Sequence, residues 1–152
     1  MKSVKHILSI VIISLIMASC ASSKVILSNN VNIDKYKYII FGTKTTGDRE
    51  LDDVMMAVQN HISSTNLIVL SSTDRLNTLE CSDCILTPNI HVTSEKWDGG
   101  HTYITVSFYD YNSNQCVAVV KSSGIGITVS QDQNIALEAI KKELDKLFNI
   151  KQ

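Results

Sequence analysis

The sequence predicts an α+β domain, a two-layer sandwich in which two helices cover one face of a mixed sheet. Three observations predict it. A strand–helix–strand pattern fills the first half, between Tyr36 and Leu70. Three long segments rich in Val, Ile, Thr and Tyr, split by turn residues, fill the second half. A last stretch from Ser130 to Phe148 carries apolar residues at helical spacing. The expected order is β-α-β, then an antiparallel β-meander, then a C-terminal helix.

Each element has its own cause. Tyr36 to Phe41 is a run of aromatic and β-branched residues, a strand closed by Gly42 and the polar loop Thr43 to Gly47. Asp48 can cap a helix, and Glu50 stands in its first turn, where the macrodipole favours an acid. Leu51, Val54, Met55, Val58 and Ile62 recur at three- and four-residue steps and so share one face of a helix ending near Ser64. Leu67 to Leu70 is a compact apolar strand, and its short connections imply parallel pairing through a right-handed crossover.

Ile85 to Trp97, His101 to Asp110 and Gln115 to Thr128 follow as strands, separated by Asp98-Gly99-Gly100 and Asn112-Ser113-Asn114. In the middle strand Ile104, Val106 and Phe108 fall on one side, and Tyr103, Thr105, Ser107 and Tyr109 on the other. Pro88 implies an edge or an irregular start to its strand. Ser130 and Gln133 form a capping-box pattern, with Ala136, Ile140, Leu144 and Leu147 on one face behind it and Lys146 near the end.

The first twenty residues carry a different message. Lys2 and Lys5 precede an apolar run from Ile7 to Met17, then the small residues Ala18 and Ser19 lead into Cys20. That layout is a secretory signal, too short to read as a spanning helix. With its cysteine it resembles the lipobox of bacterial lipoproteins, in which the thiol is acylated and the cysteine becomes the first mature residue. Met17 stands where that family usually has leucine. The division implied is residues 1–19 as lipoprotein signal peptide, 20–34 as lipidated cysteine and tether with a short strand at Val25 to Leu27, and 35–152 as a single α+β domain. The residue after Cys20 is Ala21 rather than aspartate, and no acidic run follows. By the same resemblance the protein is held in the outer membrane by its lipid and faces the periplasm.

Composition excludes more than it assigns. Without Lys2 and Lys5 the chain has 12 basic residues against 15 acidic ones, with no basic stripe of the kind nucleic acid requires. No second apolar run approaches the ~20 residues that span a bilayer. Glycine-rich phosphate loops, a Gly-x-Ser-x-Gly and a His-Glu-x-x-His are absent from the sequence. No residue is singled out as catalytic, no metal site and no cofactor is expected, and the protein is read as non-enzymatic.

Behind the lipobox, the order of elements resembles the small α/β modules of bacterial envelope proteins. These include the N-terminal domain of TolB and the curli secretion lipoprotein. The residues that carry the likeness are Tyr36 to Phe41 with the helix after it, Tyr103 to Tyr111 turning through Asn112-Ser113-Asn114 into Gln115 to Gly126, and Ala136 to Phe148. The resemblance implies a binding or scaffolding role towards outer-membrane or periplasmic partners, or self-association.

Two features compete as the site of function. Cys81-Ser82-Asp83-Cys84 is a CxxC, which serves as a disulfide, a redox pair or half of a zinc site. It lies in the polar loop Ser71 to Asp83 without a following helix, and His91 and His101 are not at paired ligand spacing. The oxidising periplasm favours a disulfide. A periplasmic thiol or zinc protein is therefore the alternative reading. With Cys20 set aside, Cys116 or one of the pair is left over, Cys116 reading as a buried small hydrophobe, and Gly124-Ile125-Gly126 reads as flexibility at a strand end. The second feature is the sheet face left open by two helices on the other side. Tyr103, Tyr109, His91 and Glu95 are its candidate partner-binding residues, because tyrosines bury area at low entropic cost.

Overall fold

The computed structural model of the protein describes residues 20–42, 45–71, 81–97 and 99–148. The expected signal segment and parts of three loops, including Asp98, lie outside the described residues. The strands are β1 (Cys20–Leu27), β2 (Tyr38–Ile39), β3 (Ile68–Val69), β4 (Ile85–Ser94), β5 (Thr102–Asp110) and β6 (Cys116–Ile125), and the helices are α1 (Arg49–Ser63) and α2 (Val129–Leu147). They form one mixed sheet, ordered β1-β6-β5-β4-β2-β3. β2 is parallel to both β3 and β4, and every other pair is antiparallel.

Both helices pack on one face, as the periodicity requires. Val54, Met55, Val58 and Ile62 of α1 are buried, as are Ala136, Ile140, Leu144 and Leu147 of α2. They meet Ile39, Leu86, Val92, Ile104, Val106, Phe108, Val117 and Val120 from the sheet. Ile104, Val106 and Phe108 are fully buried, each contributing roughly 1.5–3 kcal/mol by leaving water. Phe148 closes the far end of this core edge-on against Phe108, with ring centroids 5.1 Å apart.

Several sequence expectations need correction. The segment 20–34 is not a free tether: Cys20 to Leu27 form β1, paired residue by residue with Ile125 to Ala118. Its alternation is weak, with only Val25 partly buried, so composition showed the expected strand at Val25 to Leu27 and hid its first five residues, which β6 recruits. The first strand of the β-α-β unit shrinks to two residues. Ile40 donates its N–H to the Leu86 carbonyl, and the next rung of a parallel ladder needs an N–H at position 88. Pro88 has none, so the β2–β4 ladder stops there while β4 continues its pairing with β5. The cap of α2 is Thr128, whose side chain accepts the Gln131 N–H, two residues before the expected Ser130.

Gly124 also has a different role from the expected flexibility. α2 crosses β6 so closely that a Cβ at Gly124 would overlap the Asp132 carbonyl and lie 2.5 Å from the Ala136 amide nitrogen. The same approach lets Ser122 donate a 2.7 Å hydrogen bond to the Ala136 carbonyl. The glycine is required by packing, not by motion.

Candidate functional site

The register sorts the residues of the uncovered face into rows, since directly paired residues share a side. One row runs Ser22, Ser123, Tyr103, Thr93. The next runs Lys24, Lys121, Thr105, His91. A third runs Ile26, Val119, Ser107, Asn89. Lys121 and His91 are exposed, and Thr105 is half-buried. The four strands place no carboxylate on this face. Two lysines therefore face each other across β1 and β6 with no acid beside them on the sheet, an arrangement that lowers stability when nothing binds it.

The predicted residues do not form one cluster. Tyr103 and Tyr109 stand at opposite ends of β5, roughly 20 Å apart at ~3.3 Å per residue. Tyr103 is exposed and stacks on His101 with ring centroids 5.7 Å apart. Tyr109 is half-buried, beside the bulge that shifts β6 at Cys116. His91 sits mid-face, in the row of the two lysines. Glu95 is not on the strand. It follows β4, where its Oε2 accepts the His101 N–H at 3.0 Å and lies 3.1 Å from His101 Nδ1. The sequence reading missed Lys24 and Lys121 because Lys24 belonged to a supposed tether. Once β1 is known as a strand, the alternation of β6 finds the pair.

Cys81 and Cys84 are joined as a disulfide at the opposite end of the molecule, around a single 3₁₀ turn that leads into β4. Cys84 is buried, which holds the start of β4. Cys116 is a half-buried free thiol whose sulfur lies 3.7 Å from the Ala118 carbonyl oxygen. Cys20 is free and exposed, the first residue of β1.

A polar centre missed by the sequence reading lies at that same end as the disulfide. Asp110, the last residue of β5, accepts the Tyr36 hydroxyl at 2.9 Å, the N–H groups of Asn112 and Ser113, and the Ser113 hydroxyl at 3.0 Å. Lys35 Nζ stands 3.6 Å away and over the Tyr36 ring. Burial pushes the Asp110 carboxyl upward, yet the Ser113 N–H, the Tyr36 hydroxyl and Lys35 together hold it below the usual carboxylate range. Burial first, then Asp110, raises the Tyr36 hydroxyl. This network shapes the Asn112-Ser113-Asn114 turn, in which Asn114 adopts φ +54°. Its role is structural, since its acceptor is already saturated by chain neighbours.

No protein-family model matches the chain, and comparison with the curated proteins finds no relative. Solved structures do share its fold. A variant PelC dodecamer from Paraburkholderia phytofirmans superposes with a TM-score of 0.51 at 9% identity, covering 85% of this chain and 99% of that one. A PDZ domain protein from Parabacteroides distasonis gives 0.54 at 9% identity over 84% of this chain, which corresponds to 36% of that chain's length. At these identities the likeness shows the fold alone.

Proposed function

We propose that this chain is a non-enzymatic, lipid-anchored module of a bacterial cell envelope that binds another envelope protein through the open face of its sheet. One observation carries the binding half. In a chain with more acidic than basic residues beyond its signal segment, strands β1, β4, β5 and β6 place no carboxylate on this face and set Lys24 against Lys121 there. An unrelieved like-charge pair in a well-formed sheet is the kind of local cost that proteins retain at functional sites. The complementary partner presents acidic groups, with Tyr103 and His91 adding contact area beside the lysines. The lipid half rests on the Ala-Ser-Cys pattern at Cys20, and outer-membrane placement facing the periplasm rests on Ala21.

The test is comparative co-purification from solubilised membranes of cells making the full chain. Lys24→Glu with Lys121→Glu, and separately Tyr103→Ala with Tyr109→Ala, should remain folded and lose the partners that the unaltered protein retains. Cys81→Ser with Cys84→Ser should keep them. Loss in the cysteine variant alone would transfer the function to the thiols. Because the PelC structure is a dodecamer, a second copy of this chain is one partner the experiment scores, by the size of the purified protein.

A further inference from the structure

The register gives the sheet two distinct ends, and one of them carries Cys20. Cys20 pairs with Ile125, and Gly124 pairs with Thr102 of the neighbouring strand, itself opposite Ser94. The first residue of β1, the β4–β5 turn and the β6–α2 turn therefore all lie at this end. α1 starts there as well, because Lys96 is ion-paired to Asp48, the α1 cap. Trp97 in the β4–β5 turn is 62% exposed, Ile127 in the β6–α2 turn is 58% exposed, and Tyr103 beside them is 45% exposed. Other large apolar side chains, Ile26, Leu27, Met56, Ile68, Val69 and Tyr111, are exposed elsewhere, and what sets Trp97, Ile127 and Tyr103 apart is that they share one end of the sheet with Cys20.

We propose that this end of the sheet rests on a bilayer, with Trp97 and Ile127 seated among the lipid headgroups alongside Cys20, both inward of its edge strand. The inference rests on the lipid-anchor reading above, and the geometry supplies what that reading lacks. The chain preceding the domain ends at Cys20, and Cys20 is already hydrogen-bond partnered in the sheet. No residue remains to act as a spacer, so acyl chains on that sulfur would hold this end, and no other, against the membrane. Tryptophan and tyrosine suit that depth because their rings are apolar with one polar edge. The charges nearby are compatible with a headgroup layer. Lys96 is matched by Asp48, the Glu95 carboxylate accepts the His101 N–H, and the Arg49 and Glu50 side chains on the first turn of α1 are exposed. The strands then stand along the membrane normal, and the row of Lys24, Lys121 and His91 opens sideways, four residues along β1 from Cys20.

Trp97 is the only tryptophan in the chain, so its fluorescence reports this site alone. The full chain, purified from a bacterial host and weighed by mass spectrometry, is inserted into vesicles of phosphatidylethanolamine and phosphatidylglycerol carrying brominated acyl chains. Bromines near the headgroup end should quench Trp97 more strongly than bromines near the chain terminus, with a blue-shifted emission and protection from aqueous iodide. Ile127→Asp should reduce the quenching without changing the thermal melt. An acylated, vesicle-bound protein whose Trp97 stays red and open to iodide overturns the proposal while leaving the anchor intact. A protein without acyl chains refutes the anchor reading instead. Quenching of that unacylated protein by added vesicles then still decides the end-on contact, for or against. Concentration-dependent shielding of Trp97 in lipid-free Cys20→Ala protein also overturns the proposal, because a second copy would be the cover.

Discussion

Lys24 of β1 and Lys121 of β6 are directly opposed across an antiparallel pair, on the sheet face opposite α1 and α2. Like charges in that position oppose pairing by a few tenths of a kcal/mol to about 1 kcal/mol. β1 is an edge strand, so lysine there has a second use, since charge on an edge discourages pairing with another sheet. Edge protection accounts for Lys24. It does not account for Lys121, which sits on an interior strand.

The pair therefore yields a prediction in which stability and binding move in opposite directions. Lys24→Glu should raise unfolding stability by about 0.2–1 kcal/mol through the new cross-strand pair, measured by urea denaturation at low salt. The same variant should bind its acidic partner more weakly. A variant that gains stability and keeps full binding would mean that the face has no anionic ligand.

The Tyr36–Asp110 hydrogen bond joins residues 74 apart in sequence at 2.9 Å. Asp110→Asn keeps the shape of the side chain but loses the charge that four donors address, and should cost about 1–3 kcal/mol at neutral pH. The pH dependence follows from the depressed carboxyl. Its contribution is fully present above the unfolded value, ~3.9, and is lost as pH falls through the lower folded value. Urea midpoints between pH 5 and pH 2 should fall less steeply in Asp110→Asn than in the unaltered protein. Parallel slopes would assign the acid sensitivity elsewhere.

The two faces of β5 should respond differently to substitution. Val106 is fully buried in the core, and Asp in its place has no partner, so Val106→Asp should abolish cooperative unfolding. Tyr103 is exposed, and Tyr103→Ser should change stability by no more than about 0.5 kcal/mol. Circular dichroism melts of the two variants separate these outcomes. Similar losses would mean that the second face is covered as well.

These contrasts show what was legible in the sequence. The β-α-β unit, the meander and both amphipathic helices follow from periodicity, because each buries one face against one core. The alternation of Ile104, Val106 and Phe108 needed no tertiary knowledge. β1 was legible only at Val25 to Leu27: Cys20 to Lys24 are exposed and are held by β6's free edge, a cause located ninety or more residues away. With that part of β1 hidden, the opposed lysines were hidden too. Glu95 was misplaced for a local reason, because β4 ends at Ser94 and the carboxylate turns to His101. Pro88 was rightly singled out, and what it terminates is the β2 ladder rather than its own strand.

Gly124 provides the sharpest test of how α2 is seated. The α-hydrogen that a Cβ would replace faces the backbone of α2 at Asp132 and Ala136, and backbone cannot rotate aside as a side chain does. Gly124→Ala should therefore push the helix outward, weaken the Ser122–Ala136 hydrogen bond, and cost about 1–3 kcal/mol. Gly42 supplies the control, since a Cβ there meets nothing within 4 Å and its φ is not positive. Gly42→Ala should be neutral or slightly stabilising, through the lower entropy of the unfolded chain. Denaturant unfolding of both variants measures the difference. If Gly124→Ala matched Gly42→Ala, α2 would ride further from β6 than this structure places it, and the β6–α2 turn that carries Ile127 would be free to move with it.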